Sequence, residues 1–286
     1  MIKFDKSTNV LIVGLGLIGG SYAMALSKRG CKVNAITLNQ ADIDYAVEKG
    51  IIDRGTTDID AEMIREADIV VFALYPTVFV EWIKKNQELF RPNTIITDVT
   101  GVKGSVVDAV QSILRDDVEF IAAHPMAGRE QSGVEFSDDR VFCGANYIVT
   151  PTEKNTPEAI EICKELGRAL GFERISELSP DRHDDMIAFL SQLTHCIAVS
   201  LMTSNGEDNM EKYTGDSFRD LTRIAKINEV MWSELFLMNK EALLKQMDCF
   251  EAEFNKLRQY IVEDKREEMQ DMMRRSTERR KKFDKK

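Results

Sequence analysis

Residues 9–21 read NVLIVGLGLIGGS, and this stretch decides the fold. Val10, Leu11, Ile12 and Val13 make an apolar, mostly β-branched run of the kind that forms a buried parallel strand. Gly14, Gly16 and Gly19 follow at G-x-G-x-x-G spacing. Each glycine answers a separate demand: the first permits a tight turn, the second lets backbone approach a pyrophosphate, and the third allows helix to pack close on strand. A helix over residues 18–28 should then face that pyrophosphate with its N-terminal N–H groups, Leu17 and Ile18 lying at its start. Glycines alone would mark only a turn. A strand before them and a helix after them make the stretch a dinucleotide site.

Working outward, residues 31–142 alternate short apolar runs with helical stretches, the signature of a parallel sheet covered on both faces. Strands are expected at 33–37, 69–74, 94–98 and 118–123, with helices at 40–49, 76–89 and 104–114. Runs at 146–150 and 172–176, flanking a helix over 157–170, should extend the sheet at one edge. The pattern changes at Ser179 and Pro180, after which no proline occurs and the period is helical. The expectation is α/β: a Rossmann-type domain over 1–178, then an all-α domain over 179–286. Residues 184–202 are apolar on nearly every side and should form its buried central helix. Phe250, Phe254, Leu257 and Ile261 recur at helical spacing, as in a core or subunit contact. Residues 263–286 mix both charges and read as a solvated helix.

A chain of 286 residues, 43% hydrophobic and 30% charged, supports one large or two ordinary domains and is not disordered. The net charge of -10, without a long basic stripe before the C-terminal end, argues against a polyanionic partner such as nucleic acid. Cys31, Cys143, Cys163, Cys196 and Cys249 are odd in number and form no C-x-x-C pair, so they read as reduced thiols. The first residues lack the apolar core of a signal peptide, and no stretch reads as a membrane span. Cytoplasm is the expected location, with no membrane association.

Open α/β sheets bind ligands at the carboxyl ends of their strands, and the chemistry should lie where those ends meet the helical domain. DVTGVK (98–103) follows one expected strand, and HPMAG (124–128) follows the next. Gln192 and His195, three residues apart on the apolar helix, can point the same way. His124, His183 and His195 are the three histidines. His183 and His195, twelve positions apart, would be separated on a straight helix by about 18 Å and roughly 120°. Both cannot touch one small reacting group, so His183 is expected at a helix start, a domain junction or the substrate periphery. Such dispersion, without H-E-x-x-H or a cysteine cluster, argues against a catalytic metal.

The stretch YTGDSFRDLTRIAKINEVMW (213–232) completes the pattern. Arg223, between Thr222 and Ile224, is either an ion-pair partner or a carboxylate clamp. GLGLIGGS, DVTGVK, HPMAG followed by SGVEFS, SQLTH, and FRDLTRIA followed by MW resemble the prephenate and arogenate dehydrogenase family in order and spacing, over nearly the whole chain. The resemblance implies an enzyme of tyrosine biosynthesis that oxidises the ring alcohol of prephenate, or alternatively arogenate, by hydride transfer to NAD, with loss of the ring carboxylate as CO2. It also implies a Rossmann domain followed by a helical dimerisation domain, and hence a homodimer. Carried over by motif, His124 takes the substrate hydroxyl proton and Arg223 holds a carboxylate. His195 and Gln192 line the substrate pocket and Trp232 closes one side.

Four departures from the family pattern stand out. Gly101 replaces a serine that supports the catalytic histidine in relatives, leaving Thr100 as the nearby hydroxyl. SQLTH replaces SHLPH, GDSF (215–218) replaces a glycine-rich turn and puts Asp216 at the substrate border, and the acid expected after the second strand is missing. Thr37 and Asn39 stand there instead, with Asp98 the remaining cofactor candidate; NAD is expected to be favoured slightly and NADP to be usable. Tyrosine is expected to compete with substrate. Two rival classes remain: another Rossmann-plus-helical reductase, which would carry a lysine on a second-domain helix, and a non-catalytic dinucleotide sensor.

Overall fold

The computed structural model describes residues 4–129 and 131–284, in two compact units, 1–239 and 240–286. In the first unit β1 (Asn9–Val13), β2 (Lys32–Ile36), β3 (Arg54–Thr56), β4 (Ile69–Phe72), β5 (Ile95–Asp98) and β6 (Glu119–Phe120) form one parallel sheet in the order β3-β2-β1-β4-β5-β6. The order reverses between β1 and β4, which places the crevice of a doubly wound sheet above the glycine loop. β1 shows why its sequence reads as an unbroken apolar run. Val10 and Ile12 join the core on one face, Leu11 and Val13 the core on the other, and all four are buried.

α1 (Leu17–Lys28), α2 (Gln40–Glu48), α3 (Ala61–Glu66), α4 (Pro76–Asn86), α5 (Gly104–Ile113) and α6 (Pro157–Leu170) are the helices of this α/β region. α6 starts at a Thr156 cap with proline in its first turn and ends at Gly171, whose φ of 94° gives the left-handed cap. β3 and α3, three and six residues long, carry too little pattern to be read from sequence.

Four expectations need correction. The run at 118–123 is two strands, because after β6 the chain leaves the sheet and β7 (Ala122–Pro125) pairs antiparallel with β8 (Asn146–Thr150), which pairs parallel with β9 (Arg174–Glu177). These three make a separate sheet and do not extend the first. The apolar helix is one run built from α7 (Pro180–Ile187), a wide π-helical turn (Ala188–Gln192) and α8 (Leu193–Thr203). It is not buried all round: Phe189 and Leu190 are 54% and 43% exposed. At 24 residues it is also long and apolar enough to cross a membrane by length and composition, contrary to the expectation that no stretch would be. Its Asp184 and Gln192 nevertheless bond to other elements of the first unit. α9 (Asp216–Thr222) and α10 (Glu229–Met238) complete that unit, and α11 (Lys240–Val262) and α12 (Arg266–Arg280) form the second.

Candidate active site

The glycine loop meets all three demands of a pyrophosphate cradle. Gly14 has φ 101°, and a Cβ there would sit 2.5 Å from the Ala73 carbonyl oxygen. A Cβ on Gly19 would lie 1.9 Å from the Gly14 oxygen, so α1 can approach β1 only with glycine at that position. Gly16 has nothing within 4 Å of its Cβ position and is exposed, leaving open backbone at the start of α1 where an anion can approach the first helical amides.

At the end of β5 lies a fully buried ion pair. Lys103 Nζ donates to Asp98 Oδ2 at 2.6 Å and to the Ala123 carbonyl at 2.6 Å, while Asp98 Oδ1 accepts from Ala123 N at 3.1 Å. Both charges are 0% exposed. Burial lowers the Lys103 pKa, and the Asp98 charge opposes that effect. The pair therefore grips both polar groups of Ala123, the residue that immediately precedes His124. Thr100 completes the cluster: its hydroxyl bonds Asp98 and receives Lys103 Nζ at 3.2 Å.

His124 belongs to a relay that crosses from β7 to α7. His124 Nδ1 lies 2.9 Å from His183 Nε2, and His183 Nδ1 lies 2.7 Å from Asp184 Oδ1. Asp184 Oδ1 accepts from Lys103 N at 2.8 Å and Oδ2 from Gly104 N at 2.8 Å, so both oxygens face N–H donors at the start of α5. An oxygen of this kind takes a hydrogen from His183 Nδ1, which leaves His183 Nε2 as an acceptor. That atom in turn takes the hydrogen of His124 Nδ1 and leaves the lone pair of His124 on Nε2. Desolvation first, then His183 and Lys103, push the His124 pKa well below its ordinary value. Desolvation also lowers that of His183. Near neutral pH both rings are uncharged, and His124 is ready to accept a proton.

A second polar lock holds α10 to the α7–α8 run. Gln192 Nε2 donates to the Leu235 carbonyl at 2.9 Å, and Asn239 Nδ2 donates to Gln192 Oε1 at 2.7 Å and to the Asp184 carbonyl at 2.9 Å. This registers the next feature, His195 stacked on Trp232 with ring centroids 3.7 Å apart. His195 Nδ1 bonds the Ser191 carbonyl at 2.9 Å, one turn back. Arg223 is exposed, at the start of a short turn that packs on α8.

Two family models match the chain: the prephenate dehydrogenase nucleotide-binding domain over residues 22–174 and the prephenate dehydrogenase dimerization domain over 179–275. The chain belongs to the prephenate dehydrogenase family. It is 31% identical over 271 residues to a prephenate dehydrogenase of Bacillus subtilis, covering 91% of this chain and 72% of that one. The crystal structure of prephenate dehydrogenase from Aquifex aeolicus in complex with hydroxyphenyl propionate and NAD+ superposes with a TM-score of 0.89 at 33% identity, over 99% of both chains. Synechocystis arogenate dehydrogenase follows with a TM-score of 0.83 at 25% identity, covering 97% of this chain and 100% of that one. As a member of this family the protein is an oxidoreductase with a nucleotide-binding domain.

Set against the family motifs, several expected residues take other places. Thr100 does not touch His124; it is bound into the Asp98–Lys103 cluster, and His183 supports His124 instead. His183 is 0% exposed and lies beneath His124, early in α7, with no surface to offer a substrate. Asp98, also 0% exposed, has both oxygens committed inside the protein and does not reach a cofactor. The Gln192 amide, 1% exposed, is occupied by Leu235 and Asn239 and offers no group to a substrate. Asn39 caps α2 through its Oδ1, which accepts from Ala41 N at 3.0 Å, and Thr37 Oγ1 accepts from Leu15 N at 3.4 Å. Asp216 is an exposed partner of Arg219 at 2.9 Å. Sequence reading missed Lys103, Asp184 and Asn239. Only Lys103 left a signal, a lysine closing an apolar turn five residues after a strand-end aspartate.

Proposed function

We propose that this protein is a prephenate dehydrogenase, converting prephenate to 4-hydroxyphenylpyruvate and CO2 with NAD as hydride acceptor. The observation that carries the reading is the Asp184–His183–His124 relay, which presents His124 Nε2 as an uncharged base at the crevice of a nucleotide-binding fold. NAD held along Gly14–Gly19 supplies the hydride-accepting ring. His124 takes the hydroxyl proton as the alcohol carbon is oxidised, its tautomer fixed through His183 by Asp184. Decarboxylation then restores an aromatic ring. The Lys103–Asp98 pair fixes the peptide carrying His124, so the base is placed before substrate arrives. Arg223 clamps a substrate carboxylate, and the His195–Trp232 stack forms an apolar wall.

Functionally we divide the chain into a nucleotide-binding part, 1–178, and a substrate and dimerisation part, 179–286. Exposed Phe250, Phe254, Ile261 and Val262 on α11 support pairing with a second copy. The unpaired cysteines support a cytoplasmic setting, where NAD is available. The α7–α8 run carries no lysine, which disfavours the lysine-dependent reductases of similar fold. The test is a two-by-two grid of prephenate or arogenate with NAD or NADP, followed by cofactor reduction. Turnover of prephenate is expected; turnover of arogenate alone would reassign the substrate, and turnover of neither would leave a dinucleotide sensor. Tyrosine added to the grid is expected to raise KM and leave kcat unchanged.

A further inference from the structure

The strand-end acid that usually binds the adenosine ribose is replaced here by Thr37, Leu38 and Asn39. Leu38 is 95% exposed and offers no polar group. Asn39 uses its amide oxygen to cap α2, and its amide nitrogen donates to Asp42 Oδ1 at 3.2 Å. The next residue behaves alike, Gln40 Nε2 donating to Asp44 Oδ1 at 2.8 Å. Both side-chain amides that follow the strand are therefore turned toward carboxylates in the first turns of α2. Asp42 is half-buried, and its pKa is raised by that burial and then by repulsion from Glu135, a second carboxylate close to it.

The basic residues nearest in sequence are committed elsewhere. Lys28 pairs with Asp139 at 2.7 Å, Lys32 with Glu66 at 3.1 Å, and Arg29 bonds the Arg168 carbonyl at 3.3 Å. Arg54 on the neighbouring strand shares Glu66 at 3.2 Å. A ribose hydroxyl can settle among amides and hydroxyls. A 2′-phosphate brought to Asn39 would meet the Asp42 carboxylate already on that amide, without one of these cations to offset it.

We infer that Asp42, held by Asn39 in the first turn of α2, is the residue that selects NAD over NADP. Resting on the NAD-dependent reading above, this inference replaces weak discrimination between the cofactors with selection by repulsion.

The experiment is direct titration of the purified protein with NADH and with NADPH, read by calorimetry or nicotinamide fluorescence and independent of turnover. The wild-type protein is expected to bind NADH at least roughly 30-fold more tightly, about 2 kcal/mol. Asp42→Asn keeps an oxygen for the Asn39 amide and removes the charge; NADPH should then tighten about tenfold, with NADH within twofold and the melting temperature unchanged. Asp44→Asn, two residues further along the helix, should move NADPH less than about threefold. Equal NADH and NADPH affinity in the wild type would overturn the inference. So would an Asp42→Asn protein in which NADPH does not tighten, or in which both cofactors shift together with stability, since that is the mark of a capping residue. Failure of the wild type to bind NADH at all would instead overturn the NAD reading on which the inference stands.

Discussion

His183→Phe tests the relay most sharply. The phenyl ring fills the volume of a side chain that is 0% exposed, but it removes the acceptor for His124 Nδ1 and the donor to Asp184 Oδ1. The hydrogen bond that fixes the His124 tautomer is buried, and losing such a partner costs about 1–3 kcal/mol. At about 1.4 kcal/mol per tenfold, the competent His124 population should fall, and kcat with it, by roughly 5- to 150-fold. KM should stay within about threefold, because His183 touches no substrate. His124→Asn removes the base itself and should cost roughly 10²- to 10⁴-fold in kcat. Because the two residues act as a unit, the double variant should be no slower than His124→Asn alone. The acid limb of kcat/KM supplies a second readout. His183 contributes to the low pKa of His124, so its removal should move that limb toward higher pH. Steady-state NADH formation in the four proteins of this cycle, each checked for an intact thermal transition, decides the matter. Multiplicative losses, or wild-type kcat in His183→Phe, would refute the relay.

Lys103→Met leaves the Asp98 carboxylate buried without its cation and should destabilise the protein by about 3–5 kcal/mol; urea unfolding showing a loss under about 1 kcal/mol would contradict the pair's role. Arg223→Ala should cost about 2–5 kcal/mol in kcat/KM, mostly as raised KM, and a wild-type KM in the folded variant would remove the clamp. Stability should also fall with acid. His124 and His183 have lowered pKa values in the folded chain, so the unfolded chain takes up protons first, near pH 6.5. Their neutral forms thus favour folding fully above about pH 6.5, and that contribution is lost as pH falls toward the lowered values, with a slope approaching about 1.4 kcal/mol per pH unit for each histidine. Unfolding free energies between pH 7.5 and 5 check this. A flat profile, or one that His124→Asn leaves unaltered, would contradict it.

The nucleotide-binding fold was legible because its demands are local. Gly14 must turn, Gly19 must accept the Gly14 oxygen at its Cα, and Val10 to Val13 must be apolar on both faces of β1; each need is met within a few residues, so the residue types record it. HPMAG likewise pointed to His124, although its strand lies in the separate three-stranded sheet and not in the parallel one. What surrounds His124 was not legible, because its partners are brought together only by folding: His183 is 59 residues away in the chain, and Asp184 reaches Lys103 across 81. Counting along a straight helix separated His183 from His195 and allowed it a helix start, which is where it lies in α7, but could not name His124 as its partner, because periodicity within one helix says nothing about which strand lies beside it. The roles of Thr100, Gln192 and Asp98 changed for the same reason. A polar side chain's type states what it can bond, whereas burial and neighbours decide whether it bonds the protein or the ligand. By itself the sequence determined the fold class and the glycine cradle and singled out His124 as the candidate base; tertiary structure decided which polar groups hold that histidine in place, because those hydrogen bonds join elements with no local sequence relation.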